Sequence, residues 1–279
     1  MNEPLKLGVI GDPIAHSKSP IMHNAALRER GIAGDYTALH VKPHDLEEMI
    51  SKMREEGYRG INVTIPHKEH VMPYLDELSE EARRIGAVNT IINDAGRLIG
   101  RNTDGIGYVR SLKEEAAGEL QGRRIVVLGA GGAARGIIYA LAAEQPQRIT
   151  LLNRTVERAE ALAREWSDLA EISALPMTEA KTAIQDADLV INTTSIGMHP
   201  HTDSIPLDIE WLKGTEIVSD LIYNPLETRL LQSAKAKGCV AHGGLGMFVY
   251  QGAYAFEYWT GVSAPIEVMR NAVLADMKL

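Results

Sequence analysis

The sequence predicts an α/β protein of two domains built on largely parallel sheets. Short β-rich runs alternate with amphipathic helices along most of the 279 residues, the pattern of strands joined by crossover helices. One of these runs passes directly into a glycine-rich turn and a helix. The length suits about two domains at roughly 150 residues each.

In chain order, residues 5–10 read as a strand closed by Gly11-Asp12-Pro13. Ser19-Pro20 reads as an N-cap with proline at the first helical position, and Gly31 stops that helix. A strand over 36–41 precedes a helix on which Leu46, Met49, Ile50 and Met53 fall at i, i+3, i+4, i+7, ended by Gly57. Those methionines read as core packing. Residues 61–65 form a strand broken by Pro66, and 87–93 with 97–101 form a hairpin around Asp94-Ala95-Gly96. Further strands are expected at 124–128, 148–152, 189–192 and 216–221. Ala159, Leu162, Ala163 and Trp166 make one apolar helical face between them. Two helices, 246–258 and 265–277, close the chain.

With 29 Lys and Arg against 37 Asp and Glu, the net charge is -8. A surface of that sign repels polyanions, so neither nucleic acid nor an anionic membrane is the expected partner. Cys239 stands alone, which excludes an intramolecular disulfide and suits a reducing compartment. No apolar run nears the 18 or so residues of a transmembrane helix, and the opening Met-Asn-Glu-Pro lacks a signal-peptide pattern. A cytoplasmic protein is expected.

The run at 124–128 is followed at once by Gly129-Ala130-Gly131-Gly132-Ala133-Ala134 and a helix to about 143. Glycines there permit a tight turn and let the backbone approach a pyrophosphate at the helix N-terminus. A glycine-rich turn alone is a weak signal; its place between strand and helix strengthens it. The next strand ends Asn153-Arg154-Thr155, with Arg158 one turn on and no acidic residue at the tip. A carboxylate at that point would accept from a ribose 2′-hydroxyl, whereas guanidinium groups pair with a 2′-phosphate. Two solvated arginines opening a helix are the plain alternative, but arginine opposes the helix dipole there. NADP(H) is the expected cofactor.

Four polar clusters punctuate strand ends in the first half: Ser17-Lys18-Ser19, Asn62 to Lys68, Gly86 to Thr90, and Asn102-Thr103-Asp104-Gly105. In open α/β sheets ligands bind outside the carboxyl ends of strands. Short hydroxyls, amides and a Lys/Asp pair suit a small polyhydroxylated anion. Ser17 and Ser19 can both donate to a carboxylate if Lys18 points away; Ser19 is also expected to cap its helix.

These clusters, in order, resemble the shikimate dehydrogenase family. The motifs are S-K-S-P, N-V-T-I-P-H-K, G-A-V-N-T, N-T-D-G, G-A-G-G-A, N-R-T, N-T-T-S-I-G-M at 192–198, D-L-I-Y-N-P at 220–225 and G-L-G-M-F-V-Y-Q at 244–251. They span nearly the whole chain, and such an ordered set is highly specific. Phe248 departs from the more usual Leu, and His67 occupies a variable position. The resemblance implies reversible NADPH-dependent reduction of 3-dehydroshikimate to shikimate, a step towards aromatic amino acids. It places Ser17 and Ser19 on the substrate carboxylate, and Thr64, Lys68, Asn89 and Asp104 on the ring hydroxyls and reacting oxygen. Tyr223 and Gln251 close the site. Asn153, Arg154, Thr155 and Arg158 hold the adenosine 2′-phosphate end, Thr193, Leu221 and Gly244 line the nicotinamide side, and Glu80 contacts the cofactor. The fold implied is an N-terminal α/β substrate domain at 1–103, a Rossmann-type doubly wound NADP-binding domain at 104–239, and helices at 240–279 that return to the substrate domain.

Reducing a ketone leaves negative charge on oxygen, so a cation or proton donor must lie beside it. Lys68 is that group, with Asp104 orienting it and the two acting as a coupled acid/base pair; a surface lysine paired with Glu69 is the bland alternative. The partners expected are a small-molecule acid and at most a second copy of the chain as a homodimer. His67 with His70 and His199 with His201 lack matching Cys/His pairs, so no metal is expected. Cys239 reads as a buried strand residue, and Glu55-Glu56 and Glu114-Glu115 as solvated helix faces. Two competing functions are an NAD-preferring quinate/shikimate dehydrogenase, disfavoured by Asn153-Arg154, and a ligand-binding sensor without turnover, disfavoured by the Lys/Asp pair.

Overall fold

In the computed structural model, which describes residues 3–277, the chain divides into two compact units. One comprises Met1–Asp104 with Val249–Leu279, the other Gly105–Phe248. Met1, Asn2, Lys278 and Leu279, which the expected domain bounds include, lie outside the described residues.

The first unit carries β1 (Leu5–Gly11), α1 (Ser19–Glu29), β2 (Gly34–His40), α2 (Leu46–Glu55), β3 (Tyr58–Val63), α3 (His67–His70), β4 (Glu77–Leu78), α4 (Glu80–Ile85), β5 (Thr90–Asp94) and β6 (Arg97–Arg101). Its sheet runs β2-β1-β3-β5-β6-β4. β1 pairs in parallel with β2 and β3, while β3–β5 and β5–β6 are antiparallel. The hairpin turns on Ala95 and Gly96, both at positive φ, as a two-residue turn between twisted strands requires. The apolar stripe of α2 buries Leu46, Ile50 and Met53 against Ile10, Ile61, Val63 and Ile91.

The second unit follows with α5 (Asp104–Leu112), β7 (Arg124–Leu128), α6 (Gly132–Ala143), β8 (Arg148–Asn153), α7 (Val156–Glu165), β9 (Ile172–Pro176), α8 (Ala180–Gln185), β10 (Leu189–Asn192), β11 (Ile217–Asp220), α9 (Arg229–Ala236) and β12 (Val240–His242). Every pairing in its sheet is parallel, in the order β12-β11-β10-β7-β8-β9. This is the doubly wound Rossmann order, with its switch point between β7 and β10. One face of that sheet is covered by a core that includes Tyr108, Ile137, Leu141, Leu162 and Trp166.

The last two helices are α10 (Leu245–Thr260) and α11 (Ile266–Asp276). The expected boundary at 239/240 is too early: Val240–His242 pairs with β11 as the last strand of the second sheet, and the division falls inside α10 at Phe248/Val249. From there α10 docks on the first sheet. Trp259 donates from Nε1 to the Ile91 carbonyl at 3.0 Å, and its indole occupies the space a side chain at Gly60 would need. α11 packs along α1.

Several sequence expectations move. Lys18, not Ser19, is the N-cap of α1, and its side chain makes no capping hydrogen bond. The strand expected at 61–65 is β3 and stops at Val63; Ile65 lies beyond it with 72% exposure. Residues 87–89 lie outside β5. Cys239 is buried but precedes β12 by one residue.

His23 of α1 is wholly buried, stacked on Tyr36 with ring centroids 4.3 Å apart and tilted against Trp259 at 5.4 Å. Neither ring nitrogen has a hydrogen-bond partner, and burial lowers its pKa from 6.5 to about 3. The folded chain therefore holds it neutral, while the unfolded chain takes a proton below pH 6.5. Stability contributed above that value is lost as pH falls towards 3. Urea unfolding should show a loss of about 2 kcal/mol between pH 7 and pH 5 that is absent in His23→Leu. Parallel pH dependence in the two proteins would refute this assignment.

Candidate active site and cofactor site

In the first unit the polar clusters converge. Lys68 lies on the short α3, anchored because the preceding His67 places Nε2 2.6 Å from the Val41 carbonyl. Asp104 is the first residue of α5, where the Asn102 side chain accepts its backbone N–H at 3.1 Å. Lys68 Nζ donates to Asp104 Oδ2 at 2.6 Å. The pair is half-buried, with side chains 32% and 18% exposed, so solvent reaches it while bulk water only partly screens it. Glu69, the bland partner, is not what Lys68 meets.

Asn89 sits beside the pair. Its Nδ2 donates to Asp104 Oδ1 at 2.8 Å and to Thr103 Oγ1 at 2.9 Å, and lies 3.5 Å from Gln251 Oε1 on α10. Thr64 follows the end of β3, its backbone N–H bonded to the Ile10 carbonyl. At the end of the β1–α1 loop, Lys18 turns away and pairs with Asp276 of α11. Ser17 Oγ accepts the Ser19 backbone N–H at 3.3 Å. Since Ser19 does not cap α1, its hydroxyl is left to other partners; it faces the phenol of Tyr36, whose pKa burial pushes well up and this hydroxyl draws back.

In the second unit, Gly129 closes β7 at φ +107°, and a side chain there would come within 2.6 Å of Thr193 Oγ1. Thr193 in turn donates to the Leu128 carbonyl at 2.8 Å, so the ends of β7 and β10 meet at the switch point. Gly131, Gly132 and Ala133 are exposed where α6 begins, and a Cβ on either glycine would meet nothing within 4 Å. The bare backbone thus lines open space at the N-terminus of a 12-residue helix, the fit a pyrophosphate requires. At the end of β8, Asn153 Nδ2 donates to the Thr155 carbonyl at 2.7 Å. Arg154, Thr155 and Arg158 are exposed, and among the described residues neither arginine is paired with Glu157 or any other carboxylate. Two uncompensated guanidinium groups match a 2′-phosphate. The residues present therefore fit NADP(H).

Leu221 and Gly244 are also brought together, for a Cβ at Gly244 would strike the Leu221 carbonyl. Tyr223 stacks on Phe248, rings 4.8 Å apart, which gives the departure from leucine a defined contact. Glu80 is exposed in the first turn of α4 and belongs to the first unit, whereas the other expected cofactor residues belong to the second.

Sequence reasoning assigned no role to Asp220 and Asn192, both wholly buried. Asp220 accepts from Thr228 Oγ1, Asn192 Nδ2 and the Ile222 N–H, and with no cation beside it burial raises its pKa to about 6. This knot ties the loops after β10 and β11. Both residues open the motifs at 192–198 and 220–225, but a buried network has no periodic signature. Among the described residues no group of His, Cys, Asp and Glu could hold a metal, and no helix is long and apolar enough to cross a membrane.

Sequence comparison matches three family profiles to this chain: Shikimate dehydrogenase substrate binding domain at residues 9–91, Shikimate / quinate 5-dehydrogenase at 111–200, and Shikimate 5'-dehydrogenase C-terminal domain at 244–274. A shikimate dehydrogenase (NADP(+)) of Geobacillus kaustophilus is 50% identical, the match covering 97% of this chain and 98% of that protein. The chain belongs to the shikimate dehydrogenase family. A crystal structure of a family member in complex with NADP+ superposes with a TM-score of 0.91 at 44% identity, covering 98% and 96% of the two chains. The Thermus thermophilus enzyme in complex with NADP(H) and shikimate gives 0.89 at 38% identity, covering 97% and 99%. Membership accounts for the two-unit α/β architecture seen here.

Since a methyl at Gly131 meets nothing within 4 Å, Gly131→Ala should fold as the parent does, losing at most about 1 kcal/mol because alanine is a poorer N-cap than glycine. If the bare backbone receives a pyrophosphate, the same methyl should weaken NADPH binding about tenfold or more in a fluorescence titration. Unchanged affinity would place the pyrophosphate elsewhere.

Proposed function

We propose that this chain reversibly reduces 3-dehydroshikimate to shikimate with NADPH, a step towards aromatic amino acids. The observation that carries the reading is the Lys68–Asp104 pair, 2.6 Å apart and half-buried, with Asn89 bonded to the same carboxylate. When bound, NADP(H) supplies or accepts the hydride. The chain's own residues do the rest. Ser17 and Ser19 bind the substrate carboxylate through short hydroxyls, which Lys18 leaves open by pairing with Asp276. Thr64, Asn89 and Gln251 orient the ring hydroxyls, and Tyr223 is assigned to the substrate as well.

Charge develops on the reacting oxygen during reduction. Lys68 Nζ stabilises it and delivers the proton there; in the reverse direction it takes that proton from the shikimate hydroxyl. Asp104 holds the ammonium in place and accepts from the same hydroxyl. Proton transfer belongs to the pair, with Lys68 as carrier. On the cofactor, the N–H groups from Gly129 to Ala133 receive the pyrophosphate, Asn153, Arg154, Thr155 and Arg158 the 2′-phosphate end, and Thr193, Leu221 and Gly244 the nicotinamide side. Glu80 is assigned to the cofactor as well. The action is that of a free enzyme on a small acid in the cytoplasm, as a monomer or a homodimer.

Initial rates of shikimate oxidation with NADP+ and NAD+, and of quinate oxidation with each, test the reading. Shikimate with NADP+ should give the highest kcat/KM; a preference for NAD+ would refute the arginine argument, and no turnover would leave a binding protein. Lys68→Ala should lower kcat by about 10²–10⁴ with much less change in substrate affinity. Near-parental turnover would remove Lys68 from the chemistry. In Arg154→Ala the KM for NADP+ should rise while NAD+ kinetics stay nearly unchanged; equal losses for both cofactors would make Arg154 structural.

A further inference from the structure

Behind the Lys68–Asp104 pair lies a run of buried polar groups. Tyr36, Asn62, Asn89, Thr90 and Thr103 are each less than 10% exposed. Hydrogen-bond chemistry fixes the direction of the links from Tyr36 through Asn62 to Thr90, whose hydroxyl lies 3.0 Å from Asn89 Oδ1 and 3.3 Å from Thr103 Oγ1. Asn62 Nδ2 lies 3.1 Å from the Asn89 carbonyl, which can only accept, so the amide nitrogen must face it. Asn62 Oδ1 is therefore an acceptor, and the Tyr36 phenol at 2.8 Å must donate to it. The second Asn62 hydrogen goes to Thr90 Oγ1 at 3.1 Å.

Asn89 is oriented by the same logic. Its Oδ1 receives the Thr103 backbone N–H at 2.8 Å, a group that can only donate. Its Nδ2 therefore faces the Asp104 carboxylate, and Thr90 donates to Oδ1 at 3.0 Å. The donors run one way: Tyr36 to Asn62, Asn62 to Thr90, Thr90 to Asn89, Asn89 to Asp104. Lys68 donates to the same carboxylate from the other side. Links aligned in this sense polarise one another, and a buried network of this kind is rigid only while each member is satisfied.

We propose that Thr90 is a positioning residue for the reaction: its hydroxyl, accepting from Asn62 and donating to Asn89, holds the Asn89 amide against Asp104 and so fixes the Lys68–Asp104 pair. Tyr36 heads the same chain. Thr90 itself touches neither Lys68 nor Asp104, and its action runs through Asn89. The inference rests on the function proposed above for that pair.

The test compares Thr90→Val, which keeps the shape and removes the hydroxyl, with Thr90→Ser, which keeps the hydroxyl. Each full-length variant is measured for shikimate oxidation with NADP+ and, by NMR, for solvent exchange of the Asn89 side-chain NH₂, identified by its loss in Asn89→Asp. In Thr90→Val kcat should fall about 10- to 100-fold, the scale of a small misplacement, with the KM for NADP+ unchanged and faster exchange. Thr90→Ser should stay within about threefold of the parent on both readouts. Should Thr90→Val not fold, Tyr36→Phe replaces it; it keeps the ring against His23, removes the donor to Asn62, and should lower kcat about three- to tenfold. Parental behaviour of Thr90→Val, or of Tyr36→Phe standing in for it, overturns the proposal, because Thr103 would then orient Asn89 through its N–H and its hydroxyl without Thr90. Equal losses in Thr90→Val and Thr90→Ser overturn it too. An inactive parent refutes the function proposed above instead, and the Asn89 exchange rates still decide the role of Thr90.

Discussion

The Asn89 amide is the constraint on which the first unit's site depends. Its backbone N–H donates to the Arg101 carbonyl and its carbonyl accepts from the Val63 N–H, so one residue joins the end of β3 to the end of β6. Its side chain then reaches the start of α5 through Thr103 and Asp104. All four of its polar groups are committed, and the residue is 3% exposed. An unmet donor or acceptor at that depth costs about 1–3 kcal/mol, so strand ends and helix start are held in register by the same bonds that place the Asp104 carboxylate.

Close backbone approach does for the helices what Asn89 does for the strand ends. Gly60 leaves room for the Trp259 indole on the sheet, and Gly252 leaves room for Met22 and His23. α10 is thereby locked between α1 and the sheet, and Gln251, two turns before Trp259, is brought to within 3.5 Å of the Asn89 amide. In the second unit Gly105 serves a related end: α5 runs so near α6 that a side chain there would strike the Gly136 carbonyl. Lacking a side chain at these points is what lets polar groups distant in sequence arrive at one place.

The regular parts of this arrangement were legible in the chain. β7, α6 and β10 fall on the expected residues because a buried parallel strand followed by a glycine turn or a polar stop leaves little freedom. The two-residue β4 and three-residue β12 were not, since pairing with β6 and β11 defines them rather than any pattern of their own. β9 was missed as well: Ile172 to Pro176 carries weak alternation and pairs with β8 at the sheet edge. Ser19 followed by proline looks like a cap, but the helix begins one residue earlier than that reading allows. Thr90 was legible only as the last member of the Gly86 to Thr90 cluster and Tyr36 not at all, because a tyrosine or threonine in a strand is ordinary core until its partners are known. Lys68 was visible through its motif alone; its partner Asp104 lies 36 residues away.

Charge is read correctly only at this scale. In a chain of net charge -8, many of the cations are spent internally. Arg124 takes Asp186 and Asp188, Arg148 also takes Asp186, Arg135 takes Glu165, and Lys18 takes Asp276. Such pairs neutralise their members and leave little field for a ligand. Arg154 and Arg158 differ in lacking a carboxylate partner among the described residues and in standing at the same carboxyl end of the parallel sheet as the open glycine turn. Because the protein's overall field repels an anion, affinity for one must come from short-range groups that no acidic neighbour has already satisfied. Two free guanidinium groups and a helix N-terminus with bare backbone meet that requirement in the second unit.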